Sequence, residues 1–324
     1  MKQLFTKKNL LCLLAVIAVY GVIFALDSMG IFTRHAKALL VPIGVNIILA
    51  VSLSLIVGFL GELSLGHAGF MSVGAYAGCM FTIYVDMPWF VEFPLAMLIG
   101  GTVAAIFGVI IGIPALRLKG DYLAITTLAF GEIIRSVLNN LGIVGGSGGL
   151  NGIPRYSNYT IVFIVMVITI VIIANLVKSR HGRAICSIRD NKIAAESMGI
   201  PVVYYKLLAF VIAAFFAGIA GVLYGHNLGI LKPSTFDFNK SIEILVMVVM
   251  GGMGSIPGSI VAAFLITVLP EILRGLQDYR MLIYAIVLIV MMLLNNNPKF
   301  NSFKQRVFSK KNKQQGAELA KEAE

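Results

Sequence analysis

A succession of long apolar runs constrains this chain more than any other feature of its sequence. A helix that crosses a bilayer needs about 20 predominantly apolar residues. Water is absent from the hydrocarbon core, so backbone polar groups there must be paired inside the protein, which an α-helix achieves within one segment. We therefore predict an all-α, polytopic membrane protein with about ten transmembrane segments. Their expected ranges are 10–31, 38–60, 66–85, 91–116, 121–138, 159–177, 207–225, 242–251, 258–273 and 281–294.

The composition agrees with a membrane protein and argues against nucleic-acid binding. Only 13% of the 324 residues are charged, whereas a soluble domain carries about 25%. The net charge of +11 comes from residues between the apolar runs and in the tail, a pattern typical of loops that face anionic lipid. Cys12, Cys79 and Cys186 lack metal-ligand spacing, so we expect neither a metal site nor a disulfide framework.

The distribution of Lys and Arg predicts the orientation, because cytoplasmic loops carry an excess of both. The first apolar run is longer than the core of a secretory signal, so we interpret it as an uncleaved helix that starts inside. This arrangement puts 18 basic residues on the cytoplasmic side and 7 outside. We expect a transmembrane domain over residues 1–298 with a cytoplasmic loop at 178–206, and a basic, disordered cytoplasmic tail at 299–324.

The loop "SRHGRAICSIRDNKIAAESMGIPVVYYK", residues 179–206, is polar and basic between two apolar runs. Asp190 and Asn191 are good N-cap residues, and residues 192–198 are enough for two helical turns. Gly199 suits the left-handed position after a helix, and the proline two residues later cannot continue one. We therefore predict a short helix outside the bilayer.

One face of this short helix is a candidate docking surface. Ala194 and Met198 are four residues apart and share a face, with Ala195 beside them. Small side chains allow another backbone to approach closely, so the face suits the groove of a partner protein. The alternative is a solvated loop that merely follows the charge rule.

Two polar residues near the second segment are candidates for a substrate pathway. Charged residues at membrane depth are costly and usually functional, yet Glu62 falls at a predicted cytoplasmic turn and is either solvated or part of the pathway. His67 begins a segment with glycines at the spacing that favours close helix packing. We expect His67 to hydrogen-bond a neighbouring helix, with a place in the pathway as the alternative.

The fifth segment carries a further polar group. Glu132 and Arg135 are three residues apart and predict an ion pair on one helix face. Together with Thr126 and Thr127, Glu132 is also a candidate for a polar lining of the pathway.

Two apolar runs are broken by glycine. "VGFLG" at 57–61 and "MGGMGSIPG" at 250–258 both contain the pattern G-x-x-G. Paired breaks in two halves of a transporter point to a translocation site, so Gly252 and Gly254 are candidates for the pathway. Ordinary tight turns are the alternative.

Motifs for covalent chemistry or nucleotide binding are missing from the sequence. It has no GK[ST] phosphate loop, no G-x-S-x-G, no H-E-x-x-H and no paired cysteines. We predict a protein that is not an enzyme, with no catalytic residue and no bound cofactor. If the process uses ATP, another subunit must bind the ATP and its Mg²⁺.

Five strings carry a resemblance to a known family: "GFLGELSLGHAGFMSVGAYAG", "GDYLAITTLAFGEIIR", "GGSGGLNGI", "YYKLLAFVIAAFFAGIAGVLYG" and "VMGGMGSIPGSIVAAF". In this order they resemble the branched-chain amino-acid permeases of ABC uptake systems, of the Liv type, M subunit. The resemblance covers about residues 41–294. One departure is Glu62, where the family pattern has Gln.

The string "IAAESMG" resembles the E-A-A-x-x-x-G loop that docks ABC importer permeases on their ATPases. Ala194, Ala195 and Gly199 match the pattern, and Ile193 departs from it. The resemblance implies that the ATPase-coupling loop comprises Asp190, Ile193, Ala194, Ala195, Met198 and Gly199.

What the resemblance implies is uptake of leucine, isoleucine and valine by an ABC importer permease fold in a bacterial-type plasma membrane. The implied partners are a homologous second permease of the H type, two ATP-binding subunits, an extracytoplasmic substrate-binding protein and membrane lipid. Urea and short-chain amide permeases share much of the pattern and are an alternative. An ion-coupled secondary transporter is a further alternative, although it needs a coupling-ion site within the membrane, and a membrane enzyme would need a nucleophile or a metal cluster.

Overall fold

The apolar runs form helices in the computed structural model, which describes Gly21 and residues 34–85, 87–115, 118, 120–273, 286 and 289. All of the predicted segment 10–31 except Gly21, all of segment 281–294 except residues 286 and 289, and the tail 299–324 lie outside the described residues.

In the described part of the chain there are ten α-helices, eight of which coincide with predicted segments. The two others, α6 and α7, lie in the loop 178–206, so the prediction of an all-α, polytopic protein is confirmed. The helices are α1 Arg34–Ser54, α2 His67–Tyr84, α3 Trp89–Ala115, α4 Asp121–Asn140, α5 Tyr159–Lys178, α6 Arg180–Asp190, α7 Lys192–Ser197, α8 Val202–Leu228, α9 Phe238–Gly251 and α10 Ile256–Ile272.

Shorter elements join these helices. α1 continues into a buried π-helical turn, Leu55–Leu60. Two-residue strands β1, Leu150–Asn151, and β2, Ile230–Leu231, pair antiparallel with Leu150 opposite Leu231. The remaining described elements are the 3₁₀ turns Gly142–Val144, Gly146–Gly148 and Pro233–Phe236.

Four helical stretches in the described chain are long and apolar enough to cross a membrane: Lys37–Leu60, Trp89–Pro114, Tyr159–Lys178 and Val202–Leu228. The first is largely buried by the rest of the protein, whereas the third is largely exposed. A helix that is apolar all round and exposed is expected where lipid surrounds the protein.

Glycine allows the central helices to approach each other closely. α8 packs along both α2 and α3. A Cβ atom on Gly74 would collide with the backbone of Gly218, and one on Gly221 would collide with the carbonyl of Met71. The prediction that the glycines of the third segment serve close helix packing is therefore confirmed.

The chain divides into two units, Met1–Thr267 and Val268–Glu324. Contacts between distant loops define two ends of the first unit. We call one the loop end; it contains residues 58–66, 178–206 and 251–256. We call the other the strand end; it contains residues 142–158 and 229–237.

Candidate functional site at the loop end

Local sequence signals build the two short helices of the loop end. The Ser179 hydroxyl accepts a hydrogen bond from the Gly182 backbone N–H and caps α6. The Asn191 side chain accepts a bond of 3.1 Å from the Ala194 N–H and caps α7. Gly199 has a φ of 79°, the left-handed geometry that glycine adopts after a helix. The predicted short helix is present, with Asn191 as its cap, while Asp190 is the last residue of α6.

The faces of α7 differ from the expectation in one respect. Ile193 is 77% exposed and Met198 is 82% exposed, and Ala194 is also exposed. Ala195, however, is only 4% exposed. Expecting Ala195 on the docking face was therefore wrong, because this side of α7 turns toward its own chain. The exposed face combines one small side chain with two large apolar ones.

Arg189, at the end of α6, reaches the π-helical turn after α1. Its Nη1 donates a hydrogen bond of 3.1 Å to the carbonyl oxygen of Gly58, and its Nη2 binds the Asp190 carboxylate at 2.9 Å. The side chain lies so close to Gly61 that a Cβ atom there would be 2.5 Å from Arg189 Cγ. Glycine at 61 thus makes room for the arginine.

The two glycine breaks of the sequence meet at this point. A Cβ atom on Gly58 would lie 2.5 Å from the backbone nitrogen of Gly254. Gly252 and Gly254 have φ values of 89° and 84°. The space beside Gly252 is open, whereas Gly254 faces Gly58 and Arg189. The breaks therefore pack against each other.

Glu62 forms an ion pair with Lys206, which lies in the second turn of α8. The two side chains are 17% and 7% exposed, respectively, so Glu62 is not freely solvated. Its second oxygen, Oε2, is buried and has no hydrogen-bond partner within the described part of the chain. A buried charge is stable only when it is paired, and Lys206 supplies that pair.

His67 and Thr127 lie deeper in the protein. His67 is fully buried, and its Nε2 is 2.9 Å from the hydroxyl of Ser52 on α1, which agrees with the helix-packing interpretation. Thr127 Oγ1 accepts a 3.0 Å bond from the Leu65 N–H and donates to the Ala124 carbonyl. Thr127 thus links α4 to residue 65, which lies just before α2.

The other candidates on α4 make local contacts. Glu132 and Arg135 form the predicted ion pair, with Arg135 Nε 2.8 Å from Glu132 Oε2, and each side chain is about a third exposed. The Thr126 hydroxyl donates to the Tyr122 carbonyl on the same helix. The structure therefore brings Glu62, the α6–α7 segment and Gly254 together, while Thr126 and Glu132 make their hydrogen bonds within α4.

Sequence reasoning missed Arg189 and Lys206 as partners of this site. A usable signal existed for Lys206, since a lone lysine at the start of a long apolar run needs an acidic or backbone partner. Within the described residues no group of three His, Cys, Asp or Glu side chains is placed to hold a metal ion.

These observations define an α-helical integral membrane protein with a structured helical loop at one end. A family model described as "Branched-chain amino acid transport system / permease component" matches residues 36–293. The chain belongs to this family, and the resemblance found in its sequence is confirmed.

Two curated relatives are the high-affinity branched-chain amino acid transport system permease proteins LivM of Escherichia coli K12 and Salmonella typhimurium LT2. They are 35% and 34% identical over 284 residues, which cover 77% of this chain. The chain spans 66% of the length of both relatives. The LivH permease of Salmonella typhimurium is 22% identical over 246 residues, covering 68% of this chain and 79% of LivH.

One solved structure, PsaBC from Streptococcus pneumoniae in complex with a Fab, aligns over 88% of this chain and 99% of the matched chain. Its TM-score is 0.49 and its sequence identity is 16%.

Proposed function

We propose that this chain is the transmembrane permease subunit of an ABC importer for leucine, isoleucine and valine. Its partners in this proposal are a second permease of the H type, two ATP-binding subunits and an extracytoplasmic substrate-binding protein. The family and the names of the LivM and LivH relatives support the substrate class and the second permease.

The exposed face of α7 is the observation that carries the proposal. Ile193 in α7 and Met198 directly after its last residue are more than three-quarters exposed, and α7 lies between two membrane spans. Large apolar side chains that stand free on a polar loop mark a contact with another protein. Asp190, Asn191 and Gly199 fix the position of α7, so the docking loop of the proposal is Asp190 to Gly199, with Ala195 supporting it from within.

The substrate route of the proposal passes residues that the sequence singled out. Glu62, His67, Thr126, Thr127, Glu132, Gly252 and Gly254 are its candidate lining residues. The permease itself carries out no covalent chemistry and binds no cofactor, because ATP and Mg²⁺ belong to the partner subunits. Closure of the ATP-binding subunits would shift the permease between its outward-open and inward-open states. The size of that shift is set by how much more tightly the closed ATP-binding subunits bind one of these two states.

The proposed location is a bacterial-type plasma membrane with both termini in the cytoplasm. The loop end, which carries the basic loop 178–206, then faces the cytoplasm and the strand end faces outward. This orientation follows the excess of basic residues on cytoplasmic loops.

Transport by the reconstituted complex tests the proposal. The two permeases and the two ATP-binding subunits are placed in proteoliposomes with ATP inside. The binding protein is added outside, and uptake of labelled leucine, isoleucine, valine and urea is measured. We expect uptake of the three amino acids that requires ATP, with no uptake of urea.

Two other results would change the assignment. Uptake of urea alone would make the chain a urea permease of the same family. Uptake that follows an ion gradient without ATP would indicate a secondary transporter. Liposomes that contain every component except this chain serve as the control.

A further inference from the structure

Two basic residues flank α7 and hold one short segment of the chain. Arg189 lies three residues before α7 begins, and Lys206 lies in the second turn of the next helix, α8. Both reach the segment 58–62, in which the π-helical turn after α1 ends. The sequence between the two basic residues contains all of α7.

Arg189 holds the first part of this segment through the backbone. Its guanidinium donates to the Gly58 carbonyl oxygen at 3.1 Å, and the neighbouring Asp190 carboxylate binds the same guanidinium at 2.9 and 3.1 Å. Arg189 is therefore held in place by its neighbour while it binds Gly58. The absence of a side chain at Gly61 lets the Arg189 side chain lie close to the segment.

Lys206 holds the end of the segment through Glu62. The pair is mostly buried, with Lys206 7% and Glu62 17% exposed, so separating it would leave two poorly hydrated charges without a partner. Such a contact resists opening far more strongly than an exposed ion pair. The segment is thus expected to move together with α8 and α7 rather than to slip past them.

The held segment is a junction of helices. It continues α1, it leads through residues 61–66 to α2, and Gly58 packs against Gly254 in the turn between α9 and α10. A displacement of the segment would reach α1, α2 and that turn at once. Tightly packed elements transmit small shifts, because they have little room to deform.

We propose that Arg189 and Lys206 are positioning residues that link α7 mechanically to the junction of α1, α2 and the α9–α10 turn. We call the four residues Gly58, Glu62, Arg189 and Lys206 the clasp. The inference rests on the proposed function, because it takes α7 as the place where the ATPases act. In it the clasp stays closed during transport and converts movement of α7 into movement of the helix junction.

The ratio of ATP hydrolysed to leucine imported tests the clasp. Lys206→Gln and Arg189→Gln are compared with wild type in the reconstituted complex. Lys178→Gln is the matched control, since Lys178 is an exposed residue at the start of the same loop. We expect both clasp variants to raise the ratio roughly tenfold, within the usual range of coupling between sites, with the KM for leucine unchanged. The control should keep the wild-type ratio.

A second pair of variants separates coupling from folding. Lys206→Gln leaves Glu62 buried without its partner and could therefore impair folding. The double variant Glu62→Gln/Lys206→Gln removes both charges, so it should assemble even where Lys206→Gln does not. We expect this double variant to assemble and still to show the raised ratio. The charge swap Glu62→Lys/Lys206→Glu should return the ratio to within about threefold of wild type, because pairing is regained.

Several results would overturn the clasp. One is a wild-type ratio in both Arg189→Gln and the assembled double variant. Another is a charge-swap variant whose ratio of ATP hydrolysed to leucine imported is as high as that of Lys206→Gln. A changed KM with an unchanged ratio would leave Glu62 with a role in the substrate route alone and none in coupling. Failure of the proposed function would be seen in a different result, the absence of ATP-dependent uptake by the wild-type complex. That result would also overturn the clasp, which rests on the proposed function.

Discussion

The two ends of the first unit are held together by different kinds of contact. At the loop end, Arg189 binds a backbone carbonyl and Lys206 binds a buried carboxylate. At the strand end, β1 pairs with β2, and the Tyr76 hydroxyl donates to the Leu231 carbonyl at 3.0 Å. There Arg155 also donates to the Leu228 carbonyl, at 3.4 Å, but the described residues of this end contain no buried ion pair like that of Glu62 and Lys206.

Neutral aromatic and hydroxyl groups also surround His226, near the strand end of α8. Its Nε2 is 3.1 Å from the Thr82 hydroxyl, and its ring stacks on Tyr156 with 5.8 Å between the ring centres. Loss of a neutral hydrogen bond typically costs about 1 kcal/mol, whereas loss of one partner from a buried ion pair costs about 3–5 kcal/mol. The comparison teaches that single substitutions should affect the loop end more strongly than the strand end.

Substitutions at the two ends should differ most in their effect on leucine uptake when each replaces a glycine with left-handed backbone geometry. Gly199 and Gly152 have φ values of 79° and 82°, and a Cβ atom would meet nothing within 4 Å at either residue. Valine should therefore cause a similar backbone strain of about 1–2 kcal/mol at both positions. We expect Gly199→Val to abolish uptake, because it displaces the end of α7, and Gly152→Val to retain it.

Uptake and the amount of inserted permease are measured for both variants. Equal uptake by the two would show that α7 has no special role. Ala194 is exposed, so Ala194→Arg adds bulk and charge to the docking face, and it should also abolish uptake.

Thermal stability should show the next largest difference. Lys206→Met leaves the Glu62 carboxylate buried without a partner, and we expect a loss of about 3–5 kcal/mol in the free energy of unfolding. Tyr76→Phe at the strand end removes one neutral hydrogen bond and should cost about 0.5–1.5 kcal/mol. Unfolding of the purified permease in detergent measures both. A smaller loss for Lys206→Met than for Tyr76→Phe would contradict the comparison.

The glycine turn at the loop end should show a smaller, graded effect. Leucine at 254 would press on Gly58 and Arg189, whereas leucine at 252 would enter open space. We expect Gly254→Leu to lower leucine uptake roughly tenfold and Gly252→Leu to lower it less, with basal ATP hydrolysis retained in both.

The same two variants also separate the two interpretations of this turn. Loss of uptake by Gly252→Leu with normal assembly would support a place for the turn in the substrate route, because bulk would fill the space that the substrate needs. Near wild-type uptake by Gly252→Leu would indicate an ordinary turn at that residue.

The smallest perturbation is a single cysteine that reports orientation. Asn191 and Asn239 are exposed. A cysteine at 239 should leave stability nearly unchanged, whereas a cysteine at 191 removes the cap of α7 and should cost about 1 kcal/mol. In intact cells we expect an impermeant maleimide to label Asn239→Cys readily and Asn191→Cys only after the membrane is opened. The reverse pattern would place the loop end outside.

The native cysteines are replaced in this labelling experiment. Burial raises the pKa of the Cys186 thiol, so less of it is thiolate at neutral pH and it reacts slowly. It still lies on α6, close to Asn191, and its slow labelling would add a background signal at the same end.

The sequence by itself determined the elements whose causes are local. Eight apolar runs became helices close to their predicted bounds, because a run's own composition and length decide whether it can form a membrane-spanning helix. Asn191 and Gly199 fixed α7, since a cap and a left-handed glycine act on the backbone within four residues of themselves. The small-residue pattern of α2 likewise indicated close packing.

The tertiary structure alone decided which of these elements meet. Arg189 and Gly58 are 131 residues apart, and neither residue's neighbours in sequence indicate the other. The burial of Ala195 and the contact of Gly58 with Gly254 likewise depend on how whole helices are arranged. Helical periodicity shows which residues share a face, but the partner of that face is selected by packing and charge pairing across the entire fold.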